Sequence, residues 1–132
     1  MLIATTGTTR ATPLQVMTAA ELLEAQRLVR AMPVGASVVD AILSLVRGAR
    51  PESPSLPELR HELSWGPGPR ASQALMLAVR ARALLDNRLA PSVDDVAALA
   101  APALRHRMSP TFTARAAGRD LDSLIQRLVA RL

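Results

Sequence analysis

The stretch GPGPRASQALMLAVRARALLD, residues 66–86, sets a Gly- and Pro-rich turn directly before a helical pattern. Proline is favoured in the first turn of a helix, so we predict that a helix begins at Pro69 and runs to about Asp86. Apolar residues at helical spacing mark its predicted inward face. This face consists of Ala74, Leu77, Ala78, Ala81, Leu84 and Leu85. The small alanines would allow another helix to pack closely against it.

Upstream of this helix, a capping box predicts an earlier one. Thr18 and Glu21 have the spacing at which a hydroxyl and a carboxylate each satisfy a free backbone N–H, so the helix should begin near Ala19. Pro33 prevents a clean continuation, which puts the helix end near Ala31. The predicted apolar face consists of Leu22, Ala25, Leu28, Val29 and Met32.

A second helix is predicted from about Ser37 to just before Pro51. Its apolar stripe consists of Val38, Ile42, Leu45, Val46 and Ala49. From Pro51 to Gly68 the chain carries four prolines and two glycines. This composition predicts a long irregular connector, with one short turn around Glu58–Glu62.

The fourth predicted helix follows Ser92 and Asp95, which repeat the capping-box spacing with an aspartate in place of the glutamate. Its buried stripe consists of Val93, Val96, Ala97 and Ala100. Pro102 is expected to kink or restart this helix before Arg107.

The last helix is the clearest in the sequence, and Asp120 is predicted to cap it. Its apolar face consists of Leu121, Leu124, Ile125, Leu128, Val129 and Leu132. Just before it, Thr111, Phe112 and Thr113 alternate in a segment that ends at Gly118, which predicts a short extended segment near 109–117 or a hairpin-like loop. The patterns together predict an all-α fold, a bundle of four to five helices.

Composition agrees with a single helical domain of 132 residues. Trp65 and Phe112 are the only aromatic residues, so the core must be built from aliphatic side chains, and this favours packed helices over sheets. The net charge of +5 raises nucleic acid as a partner. All 16 basic residues are arginines scattered along the chain, which is more typical of a solvated surface than of a phosphate-binding patch.

Several chemistries are excluded by residues that the chain lacks. Without lysine there is no P-loop lysine and no Schiff-base nucleophile, and without cysteine there is no disulfide or thiolate site. His61 and His106 lack the partner spacing of a metal site, so we predict neither a metal site nor catalytic residues in this chain. The N-terminus has no signal-peptide pattern and no apolar run could span a bilayer, so the expected location is the cytoplasm, with no membrane partner.

Arg70 breaks a local rule, because it places a cation in the first turn of a helix. Positive charge is disfavoured there by a few tenths to about 1 kcal/mol, since the helix N-terminus is itself positive. An anion such as phosphate, meeting Arg70 and the free N–H groups together, would account for the exception. The alternative interpretation is that Arg70 is an ordinary exposed residue or pairs with a carboxylate such as Glu62.

Five segments in order resemble the C-terminal lid of bacterial MoxR-family AAA+ ATPases. They are Leu2–Gly7, Thr18–Met32, Val38–Pro51, Gly66–Ser72 and Ala101–Arg107. The resemblance implies that residues 1–17 are a hinge from a preceding AAA+ core and that residues 18–132 are the helical lid. It also implies that Arg70 is the sensor-2 arginine, with Gly68 and Pro69 shaping its turn. Pro67 and Gly68 stand where the family commonly has Ala and Ser, so one hydroxyl is absent.

The same resemblance implies the cofactor and the partners. The cofactor is ATP, with Mg²⁺ held by the core domain, and the partners are that core, neighbouring subunits of a ring and von Willebrand A-type proteins. The parent would be a chaperone-like remodelling ATPase, and this chain alone would not be an enzyme. Two other hypotheses stay open: a small basic helical module that binds nucleic acid, and a lid-like interaction domain without nucleotide sensing. A steep salt dependence of duplex DNA binding would favour the first of them.

Overall fold

The computed structural model describes residues 14–53 and 57–132, and in this part of the chain the fold is mostly helical. In chain order the elements are α1 (Ala19–Ala31), α2 (Ala36–Gly48), a 3₁₀ helix (Pro57–His61), β1 (Leu63–Trp65), α3 (Pro69–Leu85), α4 (Val93–Leu104), a second 3₁₀ helix (Arg105–Arg107), β2 (Ser109–Pro110), α5 (Phe112–Ala116) and α6 (Leu121–Val129). The predicted all-α class is confirmed. Most of the predicted hinge, residues 1–13 with the segment Leu2–Gly7, lies outside the described residues.

The core lies where α2, α3, α4 and α6 meet. The predicted stripe of α2 is confirmed, because all five of its residues are buried. Of the predicted α6 face, Leu124, Ile125 and Leu128 are buried, whereas Leu121 and Val129 are partly buried and Leu132 lies beyond the helix end. On α4, Val96 and Ala100 of the predicted stripe are buried, whereas Val93 and Ala97 are only partly buried. The helix continues through Pro102 to Leu104 before tightening into the second 3₁₀ turn. Aliphatic side chains therefore fill the core, as the composition indicated.

The predicted inward face of α3 is wrong. The residues that α3 buries are Ala71, Leu75, Val79 and Ala83. The predicted set is only partly buried, and Leu85 is 83% exposed. The helix is apolar on two sides, so periodicity alone could not tell which side faces the core.

The second apolar side of α3 faces α1 and not the core. Leu22, Ala25 and Val29 of α1 line a groove of about 550 Å³ together with Leu77, Ala78 and Ala81 of α3. The groove is open, so most of the predicted apolar face of α1 is not buried. Leu22 and Leu28 are about half exposed, and of the predicted face only Met32 is buried.

A small antiparallel sheet joins the connector to the segment before α5. Leu63 pairs with Pro110, and Trp65 pairs with Ser109. The predicted turn is confirmed as the first 3₁₀ helix, but the connector also holds a strand. The extended segment predicted near 109–117 is confirmed for two residues only, because Phe112–Ala116 forms a helix. The Thr111 side chain caps that helix by accepting from the Ala114 N–H at 3.1 Å.

Both predicted capping boxes and the Asp120 cap are present. Glu21 Oε2 accepts from the Thr18 backbone N–H at 2.6 Å, and Asp120 Oδ1 accepts from the Ser123 N–H at 2.7 Å. These hydrogen bonds lower the pKa of both carboxyl groups. The sequence therefore predicted the starts of α1 and α6 correctly.

Asp95 contacts two arginines in addition to the group that it caps. It accepts from the Ser92 backbone N–H at 2.8 Å and from two Arg88 nitrogens at 2.7 Å, and Arg82 Nε lies 3.1 Å away. The hydrogen bonds from Arg88 are the main reason that the pKa of Asp95 falls from its ordinary value of 3.8 to about 2. This buried carboxylate holds the end of α3 against the start of α4.

The stability of the fold should therefore depend on pH in the acid range. A carboxyl group whose pKa is lowered by folding stabilises the protein above its unfolded pKa, and this contribution is lost as the pH falls from 3.8 towards about 2. We expect Asp95→Asn to be less stable than the wild type near neutral pH. Urea unfolding of both proteins across this range should show the difference shrinking as the pH falls. A difference that stays constant would contradict the role given to the Asp95 charge.

Within the described residues, no single helix is long and apolar enough to cross a membrane. The bent pair formed by α1 and α2, at 94° to each other, meets that criterion of length and composition only when the two are taken together.

Candidate functional site

The candidate site is the turn of residues 66–70, which ends at the N-terminus of α3. Pro69 is the first residue of the helix, as predicted, and Arg70 follows it. The Arg70 side chain is exposed, and no side chain that the structure describes is bonded to it. The first turn of the helix contains no acidic residue. A guanidinium with no counter-ion among the described residues therefore lies at the positive end of the central helix.

Glu62, the carboxylate considered as an alternative partner of Arg70, is bonded elsewhere. It is 7% exposed and accepts from Arg127 Nη1 at 2.8 Å and from Arg119 Nη1. These contacts join the start of the small sheet to α6 and to the loop before it. The interpretation in which Glu62 neutralises Arg70 is therefore wrong.

The turn is packed tightly against the C-terminal end of α2. A Cβ atom added at Gly66 would lie 2.2 Å from the Ala49 carbonyl oxygen and 3.0 Å from Arg50 Cα, so only glycine fits there. Pro67 is fully buried, and its carbonyl oxygen accepts from Arg50 Nε at 3.1 Å. The segment before Arg70 is thus held from one side by the backbone of Ala49 and the side chain of Arg50, which directly follow α2.

Gly68 and Pro69 contribute to the turn in different ways. Pro69 suits the first helical position, where a missing N–H costs nothing. Gly68 is the N-cap residue, with a φ of −86° that any residue can adopt, and no atom would lie within 4 Å of an added Cβ. The glycine that the turn requires is therefore Gly66, through close packing and not through a positive φ.

A cavity of about 460 Å³ opens beside the turn. Its walls include Arg50 and Glu52 on one side and Ser64, Trp65 and the turn itself on the other. Trp65 is 52% exposed. Sequence reasoning assigned no site role to Arg50 or Trp65. The available signal was that Trp65 is the single tryptophan and immediately precedes the turn.

Six of the other described arginines are paired with carboxylates. Arg105 makes two hydrogen bonds to Asp122, at 2.8 and 2.9 Å. Other ion pairs join Arg27 to Glu24, Arg82 and Arg88 to Asp95, and Arg119 and Arg127 to Glu62. Because carboxylates neutralise these six guanidinium groups, less positive charge is available for phosphate contacts at their positions.

Fold and site together define a small helical domain with an exposed cation at the start of its central helix. The sequence model of a family described as the AAA lid domain matches residues 59–128, which include β1, the turn, Arg70 and most of α6. This match covers more than half of the chain. The chain therefore belongs to the AAA lid domain family.

A solved structure supports the assignment of the fold. The crystal structure of a protein from Cytophaga hutchinsonii, assigned as an ATPase, matches 86% of this chain with a TM-score of 0.80 and 23% sequence identity. At this identity the likeness shows a shared fold alone. The chain spans about a third of that protein, 34% of its length. Among curated proteins, no sequence matches the chain.

Proposed function

We propose that this chain is the C-terminal lid of a MoxR-type AAA+ ATPase and that Arg70 is its sensor-2 arginine. The observation that carries the proposal is the exposed Arg70 guanidinium, without a described partner, at the start of α3 in a domain of the AAA lid family. A helix N-terminus attracts anions, and an arginine there adds a second favourable contact. The terminal phosphate of ATP is the anion that a lid of this family would meet.

In this proposal the residues before the lid, 1–17, lead from an AAA+ core that holds ATP and Mg²⁺. The lid would approach the core when Arg70 contacts the terminal phosphate, and it would be released after hydrolysis. Because α3 is packed against α2 and α4, a displacement at Arg70 would move the bundle as one body. Neighbouring subunits of a ring and von Willebrand A-type proteins are proposed partners of a cytoplasmic, chaperone-like parent.

The 132-residue chain alone should not hydrolyse ATP. It has no lysine to contact the β- and γ-phosphates, and its proposed role is to complete a site that another domain builds. We expect phosphate release no faster than the uncatalysed rate from the purified chain, and ATP turnover once the chain is joined to its core. If ATPase activity remained with the isolated chain through successive purification columns, the proposal would be contradicted.

The remaining hypothesis is a lid-like interaction domain without nucleotide sensing. It would keep the bundle and its docking to a core, but Arg70 would be dispensable. The open α1–α3 groove is compatible with docking, whereas an exposed Arg70 with no described partner favours sensing. The Arg70 experiments in the Discussion separate the two.

A further inference from the structure

The turn before Arg70 has few hydrogen-bonding groups of its own. Pro67 and Pro69 have no backbone N–H, and Gly68 has no side chain to cap the helix. The Ala71 N–H is already bonded to the Gly68 carbonyl oxygen at 2.9 Å. The position of the turn must therefore be fixed largely by groups outside it.

Arg50 supplies such a contact. It lies just after α2, and its Nε–H donates to the Pro67 carbonyl oxygen at 3.1 Å in a partly buried position. The residues just before this pair are also in contact, because the Gly66 backbone packs against the Ala49 carbonyl. Packing stops the turn from moving towards α2, and the hydrogen bond stops it from moving away. The two contacts together restrict movement of the turn in both directions.

We propose that Arg50 is a positioning residue for Arg70, fixing the turn so that the guanidinium of Arg70 meets the terminal phosphate of ATP. The proposal rests on the proposed function of Arg70. Arg50 itself does not touch the nucleotide in this account. Its effect passes through the Pro67 carbonyl and three residues of backbone to the start of α3. A shift of about 1 Å in a charged contact can lower a rate substantially, so a single hydrogen bond is enough to matter.

The test uses the parent ATPase with Arg50→Met, which removes the donor and keeps a long side chain. We expect kcat to fall roughly 10-fold with little change in KM, because the contact with the terminal phosphate is weakened mainly in the transition state. In the Arg70→Ala background, Arg50→Met should cause no further loss. Arg50→Lys and Arg50→Gln, which keep a donor, should recover turnover to within roughly threefold of the wild type.

Arg105→Met is the matched control, since it breaks a two-bond contact with Asp122 far from the turn in sequence. Thermal melts of all variants distinguish an unfolded protein from a folded one in which Arg70 is misplaced. If Arg50→Met unfolds, the Arg50→Lys and Arg50→Gln variants still test the role of the hydrogen bond. The role of Arg50 would be overturned if folded Arg50→Met had wild-type turnover. It would also be overturned if Arg50→Met lowered turnover in the Arg70→Ala background as much as it does in the wild type. Neither result would bear on the role of Arg70. Unchanged turnover in Arg70→Ala would overturn the proposed function, and the role of Arg50 with it.

Discussion

We expect Gly66→Ala to destabilise the fold by about 3 kcal/mol or more, because the added methyl group would clash with backbone atoms. Its Cβ would lie 2.2 Å from the Ala49 carbonyl oxygen and 3.0 Å from the Ala49 carbonyl carbon and Arg50 Cα. These are backbone atoms, so no side-chain rotation can relieve the contact. Relief requires the turn to separate from α2, which would also stretch the hydrogen bond from Arg50 to Pro67.

Gly68→Ala is the control for Gly66→Ala, in the same turn and with the same chemical change. No atom lies within 4 Å of its added Cβ, so we expect a change within about 1 kcal/mol. Urea unfolding of the two variants measures both effects. Equal stability of the two variants would contradict the tight packing of the turn against α2.

Arg70→Ala in the parent ATPase should lower ATP turnover on the order of 100-fold, which is typical when a positioned donor to developing charge is removed. The bundle should stay folded. Arg70 is exposed and has no partner among the described side chains, and its removal relieves a cation at a positive helix terminus. Turnover at saturating ATP and a thermal melt of the same preparation give the two readouts.

Arg105→Ala controls for the loss of an exposed arginine at a helix end, and it should leave turnover near the wild-type value. Arg70→Lys tests geometry, since it keeps the charge but not the planar fork of donors. We expect only partial activity from it. Full turnover in a folded Arg70→Ala enzyme would leave the lid-like interaction domain as the better account.

Helices with one apolar stripe could be predicted from the sequence in detail. In α2 the whole predicted stripe is buried, and in α6 the central residues Leu124, Ile125 and Leu128 of the predicted face are buried. In α3 the sequence has two apolar faces. The spacing predicted the face with Leu77 and Ala81 to be inward, but Leu75 and Val79 are the buried pair. The choice depends on which neighbour covers each face, and this information is not local to the helix.

The small sheet was only partly predictable, because its pairing depends on residues that are distant in sequence. Leu63 and Pro110 are distant in sequence, and strands of two and three residues carry too little alternation to be recognised. The ion pairs of Glu62 with Arg119 and Arg127 also join distant segments. Capping boxes, by contrast, are complete within four residues, and both were predicted correctly.

In the candidate site, too, some residues could be identified from the sequence and others could not. Arg70 could be identified because it contradicts the charge preference of its own helix. Arg50 gave no such signal, since a cation after the end of a helix is the favourable arrangement. The need for glycine at position 66 arises from Ala49, a contact that no local rule contains. The sequence therefore indicated the group that is proposed to meet the ligand, but not the groups that hold the turn before Arg70 in place.

The most direct test of nucleotide sensing compares the affinities of the parent ATPase for a non-hydrolysable ATP analogue and for ADP, with and without Arg70. The two ligands differ by the terminal phosphate that Arg70 is proposed to contact. We predict that Arg70→Ala weakens binding of the ATP analogue and leaves binding of ADP unchanged. If both affinities stay at their wild-type values, or if both fall equally, Arg70 does not sense the terminal phosphate.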